Sequence, residues 1–181
     1  SLLSGSRSGL DERELSDLTG LARLKIATMI AGLDYHLVRK EGRLTFFHDY
    51  LRRAVEKRYL TDTEKKQAAH RHLAEYFRMG VSAAMAEGAS VPVRAAAELA
   101  YQLNAVGAID SLYECLATIP VFLALYADQT QYELLGYWSA LEDGNAIDTY
   151  YRQGVDRWKA PDGPERSTGV GRVVDLLCRL G

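Results

Sequence analysis

The chain has 181 residues, of which 48% are hydrophobic and 25% charged, ordinary values for a globular protein with one large domain or two small ones. No apolar run approaches the roughly 20 residues that span a bilayer, and the start lacks the pattern of a signal peptide. Residues 1–80 carry 15 Lys and Arg against 11 Asp and Glu, whereas residues 81–181 carry 7 against 13. The resulting charges of +4 and −6 predict two modules with different neighbours.

The ends of the chain and its cysteines bear on its origin and compartment. It begins without Met and ends at Gly181, so we expect a piece of a longer protein. Cys115 and Cys178 have no Cys or His partners at zinc spacing, which predicts two reduced core residues and a cytoplasmic protein. His70 and His72 point about 200° apart on a helix, so they cannot share a metal ion. We therefore expect no metal site.

The chain opens with two predicted helices. Asp11 and Glu14 have the spacing of a capping box, which predicts a helix that ends near Thr19–Gly20. Apolar residues then recur every three or four positions over 21–37, which predicts a second helix. A third helix can also be hidden within 21–33.

A short hairpin interrupts the helices. Strands over 37–40 and 43–47 flank a turn at Gly42, and two helices before such a hairpin are typical of a winged helix. Helices return at 49–60 and 62–79. Residues 1–79 are therefore predicted to form a winged-helix-like module with trailing helices.

The second module is predicted to be a string of short helices. A break over 80–92, which can include one helical turn over Val81–Ala86, precedes it, and Pro161–Pro164 separates its last helix. The predicted helices cover 93–106, 108–118, 121–127, 130–141, 145–158 and 168–180. No 34-residue self-similarity is visible, although short helices with short links resemble the start of a helical-repeat region. The fold class is thus mainly α, with residues 80–181 as a helical connector that leads into tetratricopeptide-like repeats.

The sequence lacks the motifs of common enzymes. No phosphate-binding loop occurs, and Gly169-Val170-Gly171 lacks the third glycine and the preceding strand of a dinucleotide-binding turn. Neither a Gly-x-Ser-x-Gly nor a His-Glu-x-x-His motif is present. We therefore expect this chain not to be an enzyme by itself and to carry no cofactor of its own.

Two groups of residues are candidates for binding. His48 and Asp49 lie where the hairpin meets the next helix, and either they satisfy local backbone groups, with Asp49 as a cap, or they contact a ligand. The second group is basic and forms either a solvated face or a set of phosphate contacts: Arg39, Lys40, Arg43, Arg52, Arg53, Lys57 and Arg58. Nucleic-acid binding is the alternative function, but only Arg23 and Lys25 begin the expected recognition helix, and no Asn, Gln or Arg set there suits base edges.

Several runs resemble one family. Residues 8–15, 44–60 and 70–77, with weaker pieces at 98–103 and 134–138, look like the segment after the NACHT-type NTPase domain of STAND ATPases. The nephrocystin-like and telomerase-associated-protein-like members with tetratricopeptide tails are the most similar. The resemblance covers roughly residues 1–145, and its second run is the most specific.

The resemblance implies a switch. In such proteins a winged helix closes over a nucleotide held by an upstream NTPase domain, and downstream repeats sense a ligand. Phe47-His48-Asp49 looks like the Met-His-Asp motif of related immune ATPases, in which the His reaches the β-phosphate of ADP. The resemblance therefore implies that His48 senses nucleotide and that Asp49 braces its loop. It implies ADP or ATP with Mg in the parent protein, and the NTPase domain, the repeats and a protein ligand as partners, with no membrane.

Overall fold

The computed structural model describes residues 2–127, 130–140, 144–158 and 164–180. Within these residues the chain is mainly helical, with a two-stranded antiparallel hairpin followed by an array of helices, as the sequence predicted. The elements in chain order are α1 (Leu2–Gly5), α2 (Glu12–Thr19), α3 (Arg23–Gly32), β1 (Leu37–Lys40), β2 (Arg43–Phe46), α4 (Asp49–Tyr59), α5 (Thr63–Ala86), α6 (Val93–Ala105), α7 (Ile109–Ala117), α8 (Ile119–Leu125), α9 (Gln131–Ser139), α10 (Gly144–Arg157) and α11 (Pro164–Leu180).

Helix α2 begins with the predicted capping box. The backbone N–H of Glu14 donates to Asp11 Oδ1 at 2.7 Å, and the backbone N–H of Asp11 donates to Glu14 Oε2 at 2.8 Å. The two bonds satisfy donors that the first helical turn leaves free. Gly20 ends the helix in the left-handed conformation, with a φ of 67°. Both ends of this helix are therefore determined locally.

The second helix is shorter than the sequence predicted. Helix α3 ends at Gly32 rather than at residue 37, and turns over 33–36 lead into β1. Gly32 lowers helix propensity, and Leu37 is paired with Phe46 in the hairpin instead. The hairpin itself is confirmed, because Glu41 and Gly42 at its tip both have positive φ, 52° and 81°, which a tight two-residue turn requires.

An isolated β-bridge pairs the N-terminal segment with the hairpin. The backbone N–H of Leu10 donates to the carbonyl of Leu44 at 3.1 Å, and the reverse bond measures 2.8 Å. Both side chains are buried in the core. The segment that ends at Leu10 is thus anchored to β2, and sequence reasoning missed both this bridge and α1.

Helices α5 and α6 form the longest helical pair. Helix α5 continues through Gly80 to Ala86, so the predicted break begins at Glu87 instead. Phe77 and Val81 lie one turn apart and are both buried against α6, which favours continuing the helix. The division of the chain at residue 79/80 stays a prediction, and α5 runs across that point.

The array from α6 to α11 surrounds an aromatic centre. Trp138 is fully buried, its indole N–H donates to the hydroxyl of Tyr151 at 2.9 Å, and its ring stacks on that of Tyr113 at 4.9 Å. The helices predicted here lie within a few residues of those found, although the last one begins at Pro164 rather than residue 168. The linker residues 161–163 lie outside the described residues.

The two cysteines differ in their surroundings. Cys115 packs against the core, and burial raises the pKa of its thiol to about 12. Cys178 is exposed on α11, so the prediction that it is a core residue is wrong. Across the described ranges, no helix combines the length and the apolar character that crossing a bilayer requires.

Candidate functional site

His48 lies at the surface, at the N-cap position of α4. Its imidazole makes no hydrogen bond within the described part of the chain, so it does not cap the helix. The ring stacks on Tyr50 with centroids 5.2 Å apart and meets the ring of Phe47 edge-on at 4.4 Å. Phe47 and Tyr50 are themselves mostly exposed. The imidazole of His48 is therefore exposed and has no hydrogen-bond partner among the described residues.

Asp49 does not cap α4, and this prediction is wrong. It is the first helical residue, and its carboxylate accepts hydrogen bonds from neighbouring arginines instead. Both Nε and Nη2 of Arg52 donate to its Oδ1, at 2.9 and 2.6 Å, and Arg53 Nε lies 2.7 Å from Oδ2. The hydrogen bond from Arg52 is the main reason that the pKa of Asp49 is lowered. Asp49 therefore orders these arginines rather than the backbone.

Four of the seven predicted basic residues are neutralised by carboxylates. Arg52 and Arg53 share Asp49, as described. In the hairpin, Arg39 Nη2 donates to Glu12 at 2.6 Å, and Arg43 donates to Glu41. The other three, which are Lys40, Lys57 and Arg58, have no ion pair to described residues, and Arg58 lies over the ring of Tyr59. Phosphate contact by these seven residues stays a prediction.

A polar cluster between the N-terminal segment and α6 escaped sequence reasoning. We call it the polar clasp, and its centre is Arg94. The guanidinium donates to both carboxylate oxygens of Glu14 at 2.8 and 2.7 Å, and to Ser8 Oγ and the carbonyl of Gly9, each at 2.8 Å. It also lies over the ring of Phe77, 5.5 Å from the centroid. All four hydrogen bonds join residues at least 80 positions apart, so they fasten the N-terminal segment to α6.

Glu98 and Gln102 extend the polar clasp along α6, and both are fully buried. Glu98 Oε1 accepts from the backbone N–H of Arg7 at 2.7 Å and from Gln102 Nε2 at 3.0 Å. Gln102 Nε2 also donates to the carbonyl of Gly5 at 2.8 Å. Because Gln102 Nε2 makes both of these bonds, the other amide atom, Oε1, faces His70 and accepts from its Nδ1 at 2.6 Å. The network therefore selects the tautomer of His70 that carries its proton on Nδ1.

One oxygen of Glu98 has no hydrogen bond to any described residue. Its Oε2 is buried, and Arg94 Nη1 lies 3.9 Å away, too far to donate. Burial in these surroundings is the main cause that raises the pKa of Glu98. The sequence does hold a signal for the cluster, because Arg94, Glu98 and Gln102 follow one another at intervals of four on a helix of mostly Ala and Leu.

We expect the polar clasp to make stability depend on pH. Because the native pKa of Glu98 is raised, its share of the stability is full below the unfolded value near 4.5 and is lost as pH rises through the native value. Glu98→Gln cannot titrate at this position, so the unfolding free energy of wild type should fall relative to that of the variant as pH rises from 4.5 through the native pKa. Urea unfolding at several pH values measures the difference, with Glu87→Gln on the exposed end of α5 as the control. A difference that moves the other way would contradict the assignment.

Arg7 provides a second link to the array. Its Nε donates to Glu133 Oε2 on α9 at 2.9 Å, and its Nη2 contacts the other carboxylate oxygen. This hydrogen bond is the main cause that raises the pKa of Arg7. Because the backbone N–H of Arg7 also binds Glu98, one residue of the N-terminal segment contacts both α6 and α9.

Comparison with known proteins yields one similarity and two negative results. The chain is 27% identical over 115 residues to a TPR repeat-containing protein of Dictyostelium discoideum, a match that covers 64% of this chain and 6% of that protein. The chain therefore spans a small part of the length of that relative. No family model matches the chain, and no solved structure matches it. The helical array and this similarity fit a helical repeat region.

Proposed function

We propose that the chain is a signal-transducing module of a STAND-type NTPase, which couples the nucleotide state of an upstream domain to a downstream helical-repeat sensor. In this proposal residues up to the hairpin act as a winged helix. The order helix, bridge strand, two helices and hairpin, with Leu10 paired to Leu44, supports that assignment. The name of the Dictyostelium relative supports a repeat region, a class of fold with extended binding surfaces.

The polar clasp is the observation that carries the proposal. A module that transmits a change of position needs a specific connection between its two parts. The bonds of Arg94 and Glu98 to the N-terminal segment supply one, because hydrogen bonds of charged groups depend on direction more than apolar packing does. Movement of the N-terminal module therefore has to move α6 or break these bonds.

His48 is the proposed contact to nucleotide. Its exposed imidazole, which has no hydrogen-bond partner among the described residues, suits a donor to a phosphate oxygen, and it lies beside the N-terminus of α4. Nucleotide bound by the upstream domain would supply that oxygen. The described residues provide this single contact and not a complete site, so the proposal assigns His48 to sensing rather than to chemistry.

The alternative, binding of nucleic acid, has less support. Winged helices bind DNA through basic residues that contact phosphates. Here Arg39, Arg43, Arg52 and Arg53 are all bonded to carboxylates of the same module. We expect no sequence-dependent gel shift at about 0.15 M salt, where charges more than about 8 Å apart are screened.

The proposal predicts a specific effect of His48→Ala. The chain itself should lose less than about 0.5 kcal/mol, because the side chain is exposed and makes no hydrogen bond to the part of the chain that the structure describes. The parent protein should release ADP roughly 10- to 150-fold faster, the range for one charge-assisted hydrogen bond. Stopped-flow release of a fluorescent ADP analogue measures the rate. His36→Ala, which removes another exposed imidazole of the same module, is the control, and equal release rates for all three proteins would end the proposal for His48.

A further inference from the structure

Helices α6, α7 and α9 enclose a cleft that the proposed function does not use. Its volume is about 320 Å³, and most of its lining is apolar or aromatic. Among the residues that line it are Ile109 on α7 and Glu133, Gly136 and Tyr137 on α9. A pocket lined mainly by apolar and aromatic groups, with a few polar ones, is the usual form of a ligand site.

Helix α9 presents bare backbone to this cleft. A Cβ atom built on Gly136 meets no atom of the described residues outside its own helix backbone within 4 Å, so the space beside it is open. Ile109 on the opposite wall is 45% exposed, and it therefore leaves apolar surface in contact with water at the cleft. A ligand with an apolar stem can cover both surfaces.

Glu133 is the charged residue among those that line the cleft. The ring of Tyr137 lies beside it, and desolvation raises the pKa of that hydroxyl to about 12, so it stays neutral at physiological pH. Arg7 is bonded to the same carboxylate, so a cation in the cleft has to compete with it. A carboxylate and an aromatic face both attract cations.

We propose that this cleft binds the side chain of a Lys or Arg in a peptide segment of a partner protein, in competition with Arg7 for Glu133. The alkyl stem of such a residue matches the apolar walls, and its cationic end matches Glu133 and the ring of Tyr137. An anionic or a purely apolar segment would lack the cationic end that matches Glu133.

The competition gives the cleft a route to the N-terminal module. Arg7 is anchored twice, through its side chain to Glu133 and through its backbone N–H to Glu98. A cation that takes Glu133 removes the first anchor and leaves the polar clasp as the second. Because such coupling is reciprocal, removing the Arg7 side chain has to strengthen binding of the ligand. This route to signalling rests on the proposed function, whereas binding in the cleft does not.

An NMR titration of the whole chain tests the proposal. The probes are the acetylated, amidated tripeptides Leu-Lys-Leu, Leu-norleucine-Leu and Leu-Glu-Leu, of which the norleucine form keeps the stem of Lys without its charge. We expect the Lys peptide to shift the amide signals of Gly136 and Tyr137, with a Kd on the order of 1 mM. The norleucine peptide should bind roughly tenfold more weakly, which is the effect of about 1.4 kcal/mol.

Four variants sharpen the test. Glu133→Gln should abolish the preference for Lys over norleucine, and Arg7→Met should tighten binding of the Lys peptide about fivefold. Arg13→Met, which removes a highly exposed arginine on α2, should change nothing. Gly136→Leu should fill the open space and block binding, while an unchanged spectrum elsewhere shows that the fold is intact.

Three results would overturn the proposal: no shift at Gly136 up to about 10 mM peptide, equal affinity for the Lys and the Glu or norleucine peptides, or no tighter binding by Arg7→Met. None of these measurements involves nucleotide. Failure of the ADP-release experiment would therefore leave the cleft standing, and failure of the titration would leave His48 standing.

Discussion

Arg94→Met is expected to lower the free energy of unfolding by about 3–5 kcal/mol, the cost of leaving a buried charge without its partner. The side chain of Glu14 is 10% exposed, so water cannot replace the two hydrogen bonds that its carboxylate loses. The side chain of Glu98 is 1% exposed, and it loses the positive charge that lies 3.9 Å from its Oε2. Ser8 Oγ and the carbonyl of Gly9 lose their donor as well. Urea unfolding measures the loss.

Controls separate the polar clasp from arginine chemistry in general. Arg78→Met removes an exposed arginine on α5 whose distance to Glu75 is 3.7 Å, and we expect a change within about 0.5 kcal/mol. Arg94→Lys keeps the charge but not the bidentate hydrogen bonds to Glu14. Its loss of unfolding free energy should therefore lie between the losses of Arg94→Met and Arg78→Met. A loss below about 1 kcal/mol for Arg94→Met would show that the polar clasp contributes little.

Arg94→Met should also reveal which part of the molecule unfolds first. Amide hydrogen exchange should rise first over residues 2–14, because the hydrogen bonds of Arg94 hold that segment to α6. Amides around the buried Trp138 should keep their protection, since the four hydrogen bonds of Arg94 go to Ser8, Gly9 and Glu14 and the indole is held by Tyr151 instead. Uniform loss of protection across the chain would mean that the two parts unfold as one unit.

Local signals explain what the sequence predicted correctly. The capping box at Asp11 and the turn at Glu41–Gly42 depend on residues within four positions of each other, so they can be recognised without knowing the fold. The helices of the array follow from apolar residues that recur at helical spacing. These features account for the mainly helical architecture and for the position of the hairpin.

Long-range contacts explain what the sequence did not predict. The bridge from Leu10 to Leu44 and the bonds from Arg94 to Glu14 join residues 34 and 80 positions apart, and nothing in either local sequence names the partner. Asp49 was misassigned because a good capping residue is also a good ion-pair partner, and Arg52 and Arg53 lie within one turn of it. Competition between such roles is decided by the three-dimensional neighbours.

Gly154→Val is expected to lower the free energy of unfolding by about 3 kcal/mol, at the upper end of the usual cost of overpacking. A Cβ atom at Gly154 would lie 2.0 Å from the carbonyl oxygen of Ala117, and this oxygen belongs to backbone that cannot rotate away. Helix α10 therefore has to move off the junction of α7 and α8, which withdraws Tyr151 from its packing in the core. Thermal unfolding followed by circular dichroism measures the loss.

Gly171→Val on α11 is the matched control. A Cβ atom there meets no atom of the described residues within 4 Å, so the same change of side chain should shift the free energy of unfolding by less than about 0.5 kcal/mol. Equal effects at the two glycines would show that α10 does not approach α7 as closely as the structure places it.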